Sequence, residues 1–214
     1  MDFAFGTVPF EIDTGKNTYI QLGDPRAMAE MEKQKYAFRE TRGMFVSSIG
    51  GAKKDNRQRD YLVRDFSIDG KVPVKSFPVS VNQSGAFLIG EEFLKNFTLI
   101  IDFPGQKAYS KRTSRGDVDK GFKDTFGFIP MWDGKSGLII SSITTDTPAS
   151  KAKLNIGDKI IALNGKKMDG LTQNGFCKFM LSSEADPKSF DKQKDLKLVI
   201  RDKNGQEKTI TLSK

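Results

Sequence analysis

The sequence predicts a mainly β chain built from two small domains in tandem. Three observations carry that expectation. Short runs rich in β-branched and aromatic residues recur along the whole chain. Gly, Asp-Gly, Pro-Gly and Asn-Gly punctuate them, as hairpins require. Near the midpoint "SKRTSRGDVDKG", residues 110–121, interrupts the apolar patterning with charge, Ser, Thr and Gly. The 214 residues suffice for two such domains, each with its own core, and 37% hydrophobic against 29% charged residues is a globular balance. No internal repeat or low-complexity tract is visible.

The elements follow in order. "FEIDTG" reads as a strand running into a turn. In "GDPRAMAEMEKQKYAFRETRG" a helix is expected, with Asp24 as N-cap, Pro25 at the first helical position and Gly43 just past the end. "MFVSSIGG" and "YLVRDFSIDGKVPVKSFPVSV" read as strands and hairpins. In "AFLIGEEFL", Glu91 and Glu92 stand at a helix start, where the macrodipole favours acids. "FTLIIDFPGQKAY" is a strand, a turn and a strand, with Asp102 in a structural role. Beyond the interruption come "GLIISSI", "KIIALNG", a helix in "GLTQNGFCKFMLSS" and a final hairpin, "LKLVIRDKNGQEKTITL". Phe176, Phe179 and Met180 form that helix's apolar face, and Cys177 is expected in the core.

Several functions are excluded or disfavoured by composition. The net charge of +8 is spread among acids, as in "KKDNRQRD", which describes a solvated face rather than a nucleic-acid stripe. There is no histidine, so Ser-His-Asp and Cys-His machinery and His-ligated metal sites cannot be built from this chain. The single Cys allows neither an intrachain disulfide nor a thiolate cluster. No stretch is long and apolar enough for a membrane span, and residues 1–15 carry no signal peptide; an exported protein would hold its signal upstream. Carboxylates, lysines and hydroxyls remain available for catalysis.

The first half resembles the retropepsin-like aspartic proteases. "FEIDTG" supplies Asp13-Thr14-Gly15, "SSIGG" resembles a flap tip with Ile49, Gly50 and Gly51, and "FSIDGKVPVKSFPVSV" is similar to the hairpin after the flap. Leu88, Ile89 and Gly90 in "AFLIGEEFL" match the aliphatic-aliphatic-glycine motif before a short helix, and the match covers about residues 3–112. The resemblance implies that Asp13 supplies one of two carboxylates sharing a water, with Thr14 locking lobes together, Gly15 forming the turn and the flap closing over substrate. One DTG supplies one carboxylate, so the second must come from another copy or another lobe. Lys16 and Asn17 depart from the Ala, Ser or Thr usual after the motif; a lysine there disturbs the shared-proton balance unless its stem carries the ammonium to solvent.

The second half resembles a PDZ domain. "GLIISSITTDTPASKAKLNIGDKIIALNGKKM" contains a strand, a helix start at Thr147–Ala149, Gly157-Asp158, an apolar strand and the turn Asn164-Gly165. Lys153 stands where glycine is common. The resemblance implies a peptide held as an added strand, its carboxylate on the loop Thr125-Phe126-Gly127-Phe128, beside a helix beginning near Thr172. Pro130, lacking an N–H, removes one ladder bond to such a peptide. Met131 and Trp132 are expected to pack rather than to bind.

Together the resemblances place a retropepsin-like lobe at residues 1–112, a linker at 113–121 and a PDZ domain at 122–214. They imply an aspartic endopeptidase acting on peptide or protein substrates outside the cytoplasm, periplasmic or extracellular, with no cofactor and no metal. The rival expectation is a non-catalytic peptide-binding module with a lapsed carboxylate site. A Ser/Lys hydrolase rests only on scattered residues.

Overall fold

In the computed structural model the chain is described except at residues 1, 4, 5, 8, 17, 45, 46, 49, 50, 53–55, 69–71, 84, 85, 114–120, 136 and 182–192. In chain order the elements are β1 (Asp2–Phe3), β2 (Gly6–Thr7), β3 (Glu11–Asp13), β4 (Ile20–Leu22), α1 (Pro25–Lys33), β5 (Phe38–Gly43), β6 (Ser47–Ser48) and β7 (Gly51–Ala52). There follow β8 (Asn56–Ile68), β9 (Val72–Val81), β10 (Phe87–Gly90), α2 (Glu91–Leu94), β11 (Phe97–Asp102) and β12 (Lys107–Arg112). The remainder are β13 (Phe128–Trp132), β14 (Leu138–Thr144), α3 (Pro148–Lys151), β15 (Lys159–Leu163), β16 (Lys166–Lys167), α4 (Gln173–Leu181), β17 (Asp195–Arg201) and β18 (Glu207–Ser213). The mainly β class expected from the sequence is therefore present. Two compact units emerge: residues 1–39 with 58–123, and residues 40–57 with 124–214.

In the first unit, β8 and β9 form a long antiparallel hairpin, and β4 joins β9 in parallel with Ile20 opposite Val79. β10 runs antiparallel to β4 and parallel to β3, setting Gly90 opposite Asp13. Alternation explains the core. Tyr61 and Val63 on β8, Phe77, Val79 and Val81 on β9, and Ile20 and Leu22 on β4 are buried together. Ala27 and Met31, four apart on α1, share one face and join that core.

The helix α1 begins as its sequence dictates: the Asp24 carboxylate accepts the Arg26 N–H at 2.8 Å, and Pro25 follows. It ends at Lys33, ten residues before Gly43, the residue expected just past its end. The next two residues close the turn, Lys35 adopting φ 55°. "FRETRG" then extends as β5, because pairing of Thr41–Gly43 with Ser142–Thr144 outweighs local helix propensity. Gly43 serves that pairing rather than a helix end. Its φ is +112°, and a Cβ would lie 2.2 Å from the Ser141 carbonyl oxygen.

The second unit has the strand order β18-β17-β15-β14, with β13 paired to β14, β16 to β15 and Thr41–Gly43 to the end of β14. Leu196, Leu198 and Ile200 alternate inward on β17 and meet Leu138, Ile140, Ile160 and Leu212 in one core. Phe179 of α4 is buried there and Phe176 packs against it, as expected. Cys177 is exposed, not in the core: it falls on the outer side of α4, while Phe176 and Phe179, three apart, take the inner one.

Candidate functional site

The loop Thr125-Phe126-Gly127-Phe128 owes its shape to its glycine. Gly127 adopts φ +84°, and a Cβ there would stand 1.9 Å from the Thr147 Oγ1 and 2.2 Å from its Cβ. The loop is fastened through its carbonyls. The Phe126 carbonyl accepts the Ala149 N–H at 2.9 Å, and the Gly127 carbonyl accepts the Thr144 N–H at 2.8 Å. Thr147, fully buried, locks this corner: its hydroxyl donates to the Thr144 carbonyl at 2.6 Å, and its N–H donates to Ser150 Oγ at 3.1 Å. The Phe126 side chain is buried in the core, under the Lys214 ammonium 4.3 Å from the ring centre.

β13 leaves this loop as a strand paired along one side with β14; among the described residues it has no strand on its other side. The register shifts between Ile129 and Pro130, and Ser141, opposite this bulge, donates its hydroxyl to the Ile129 carbonyl at 3.0 Å. Ile140, opposite Pro130, spends its own N–H and carbonyl on Asp158 and Gly157, away from β13. Alternation in an antiparallel pair then turns Pro130's backbone nitrogen to the open side as well. Proline sits where no β14 bond is lost, and the open side lacks one donor. Trp132 packs against the core, with its Nε1 buried and without a partner among the described residues.

The helix α4 starts where Thr172 caps it, Oγ1 accepting the Gly175 N–H at 3.1 Å. Beside it, Leu163, Asn164, Lys166, Phe179 and Gln193 line a shallow cleft of about 260 Å³. The Lys166 ammonium lies 5.5 Å from the Phe179 ring centre.

In the first unit, Asp13-Thr14-Gly15 forms a turn after β3. The Asp13 carboxylate accepts the Gly15 N–H at 3.0 Å, and the Asp13 carbonyl accepts the Lys16 N–H at 3.3 Å. Thr14 and Gly15 are exposed. Gly90 is needed because a Cβ would meet the carbonyl oxygens of Thr18 and Lys16 at 2.4 and 2.6 Å. Ile49 and Gly50 lie outside the described residues; Gly51 belongs to β7, paired with β6.

Sequence reasoning passed over a polar row in this unit. Asp60 on β8 is opposite Ser80 on β9, and Ser80 is opposite Gln21 on β4. Ser80 Oγ donates to the Asp60 carboxylate at 2.6 Å and Gln58 Nε2 donates to it at 2.9 Å. Burial raises the Asp60 pKa, while the bonds from Ser80 and Gln58 and the charge of Arg39 pull it down. The signal was present: an acid directly before the apolar "YLV" of a strand. What buries it is tertiary. Among the described residues, no cluster of His, Cys, Asp and Glu could hold a metal ion.

Comparison with known proteins bears on both halves. Residues 113–182 match the PDZ domain family. Two curated proteins, from Pseudomonas fulva and Pseudomonas putida, are each described as a probable periplasmic serine endoprotease, DegP-like. They are 29% and 28% identical over 113 residues, covering 47% of this chain and 21% of each relative. The match thus spans about a fifth of their length. Structures of the HtrA-type protease AlgW with a decapeptide and with a tripeptide overlay at 12% identity and a TM-score of 0.29, too low to establish a shared fold. The overlays cover 83% and 84% of this chain and 60% and 66% of those chains.

The chain contains a PDZ domain, as its second half led one to expect. The aspartic-peptidase expectation is corrected. The relatives are described as serine endoproteases, and nothing among them supports a retropepsin-like lobe.

Proposed function

We propose that this chain is a peptide-binding module, its PDZ domain capturing an extended peptide along β13. The observation that supports this reading most is the Gly127 corner. Its two carbonyls are turned onto Ala149 and Thr144, and the strand that follows keeps one side unpaired among the described residues. Thr125, Phe126, Gly127 and Phe128 are the residues proposed to receive the peptide end, through backbone N–H groups that need no side-chain chemistry. The PDZ domain is taken to occupy residues 122–214, with Thr41–Gly43 paired to the end of β14.

The relatives' description supports a periplasmic proteolytic setting for the module. This chain has no histidine, so it does not itself assemble a Ser-His-Asp triad; its contribution is recognition of polypeptide. Pro130 shapes that recognition. A bound strand receives no donor opposite it, so the ladder is broken in the middle and side-chain pockets carry more of the selectivity.

The test is selection of the full chain against a library of peptides with randomised free C-termini. Enrichment of a sequence class that binds Trp132-monitored protein, and loses affinity when its C-terminus is amidated, is expected. Absence of enrichment, or affinity indifferent to amidation, overturns carboxylate capture by this loop.

A further inference from the structure

Away from the PDZ domain, β11 and β12 form a two-stranded sheet of their own. Hairpins of this kind are marginal in water unless their open sides are covered. This one carries large apolar side chains in solvent: Ile100 is 63% exposed, Ile101 46%, Phe103 81% and Tyr109 52%. Its inner end is anchored, Phe97 stacking on Phe93 with ring centres 5.0 Å apart, so the hairpin is held in place rather than loose. The feature is an apolar edge with nothing paired to it among the described residues.

The two strands guard their open sides very differently. β12 reads "KAYSKR", and copies of it paired antiparallel about Tyr109 would set Lys107 opposite Lys111; edge lysines discourage such pairing. β11 reads "FTLIID", with no proline, no lysine and a single acid at its end. The phase of its backbone is set by the Thr113 N–H, which donates to the Asn96 carbonyl at 2.9 Å. Counting from that bonded pair, alternation turns the N–H and carbonyl groups of Phe97, Leu99 and Ile101 to the open side.

These groups are self-complementary. We propose that two copies of this chain associate through β11, edge to edge, making a four-stranded antiparallel sheet with a two-fold axis at Leu99. In that register Leu99 faces its own copy, Phe97 faces Ile101, and Thr98 faces Ile100. Every outward N–H meets an outward carbonyl, and no like charges are opposed. Ile100 and Ile101 project to opposite faces of the strand, so a flat lipid surface could cover only one of them. A strand added at the edge flanks both.

Sedimentation velocity of the full chain from about 1 to about 100 µM, a range in which interfaces of modest quality dissociate, reads the outcome. The expected result is a concentration-dependent rise from monomer to twice the mass. Ile101→Pro removes an outward N–H and the side chain set opposite Phe97 without removing a bond to β12, and Ile101→Lys places a charge at the edge. Both should sediment as monomer throughout, with circular dichroism and Trp132 emission unchanged. A wild-type chain that stays monomeric overturns the proposal, and so does a dimer that survives both variants. Monomer that co-sediments with phosphatidylglycerol vesicles overturns it in favour of a lipid surface.

Discussion

Replacing Gly127 with alanine tests the corner on which the peptide-binding reading stands. At φ +84° a residue with a Cβ is strained by about 1–2 kcal/mol. The new methyl would also sit 1.9 Å from Thr147 Oγ1 and 2.2 Å from its Cβ, so Thr147 must move. Crowding of that kind costs about 1–3 kcal/mol. Displacing Thr147 strains its bonds to Thr144 and Ser150, and loss of a helix-start bond adds about 1 kcal/mol. The sum is about 3–6 kcal/mol. Trp132 is the single tryptophan and belongs to the second unit, so its emission follows that unit's unfolding in urea. With a denaturant slope of about 2 kcal/mol per molar, the midpoint should fall by about 2 M. Gly165→Ala is the control. Gly165 has nearly the same φ, +81°, with nothing within 4 Å, and should lose only the strain of about 1–2 kcal/mol. If the two variants lose the same stability, the Thr147 contact does not exist as described and the loop is not held as argued.

Other consequences follow from the same geometry. Pro130→Ala restores one donor to the open side of β13; selected peptides should bind about 3- to 10-fold tighter by titration, since one net hydrogen bond is worth about 1 kcal/mol. Burial raises the Asp60 pKa, so folding retains a proton that the unfolded chain has already released. This group's stabilising contribution is therefore greatest below the unfolded carboxylate value and declines as pH rises through the folded one. Asp60→Asn should remove that slope and gain on wild type towards neutral pH, read from the four tyrosines, all of which lie in the first unit. Ser80→Ala, which strips a 2.6 Å bond from the Asp60 carboxylate, should cost about 1.5–3 kcal/mol at neutral pH in the same assay. Glu40 is 4% exposed and accepts from Arg42 and from Arg57, the latter at 2.6 Å. Glu40→Ala should destabilise the second unit by about 2 kcal/mol, below the cost for fully buried pairs because both arginines reach solvent. An unshifted Trp132 transition would show that residues 40–57 do not stabilise that unit.

How much of this was legible in the sequence depends on the range of the interaction involved. Local rules read well. Asp24 before Pro25 caps a helix, Glu91 and Glu92 open one, and period-two alternation marks β8, β9, β17 and β18, because those signals involve neighbours along the chain. The PDZ pattern was equally readable, since its turn at Asn164-Gly165 and its helix start at Thr147–Ala149 are short-range features. The aspartic-peptidase reading is overturned by the relatives, which are described as serine endoproteases. Asp-Thr-Gly is a turn whose carboxylate bonds its own backbone, and a tripeptide cannot state whether a second carboxylate stands across from it.

The sequence by itself determined a β-rich chain, a PDZ domain, and the exclusion of histidine chemistry from these residues. Only the tertiary structure decided that "FRETRG" abandons α1 to pair with β14, that Cys177 faces solvent, and that Asp60 is half-buried beside Ser80. It also decided that Pro130's nitrogen falls on the open side of its strand. Each of these depends on residues far apart in the chain, brought together by pairing and burial energies that exceed the local preferences a sequence displays.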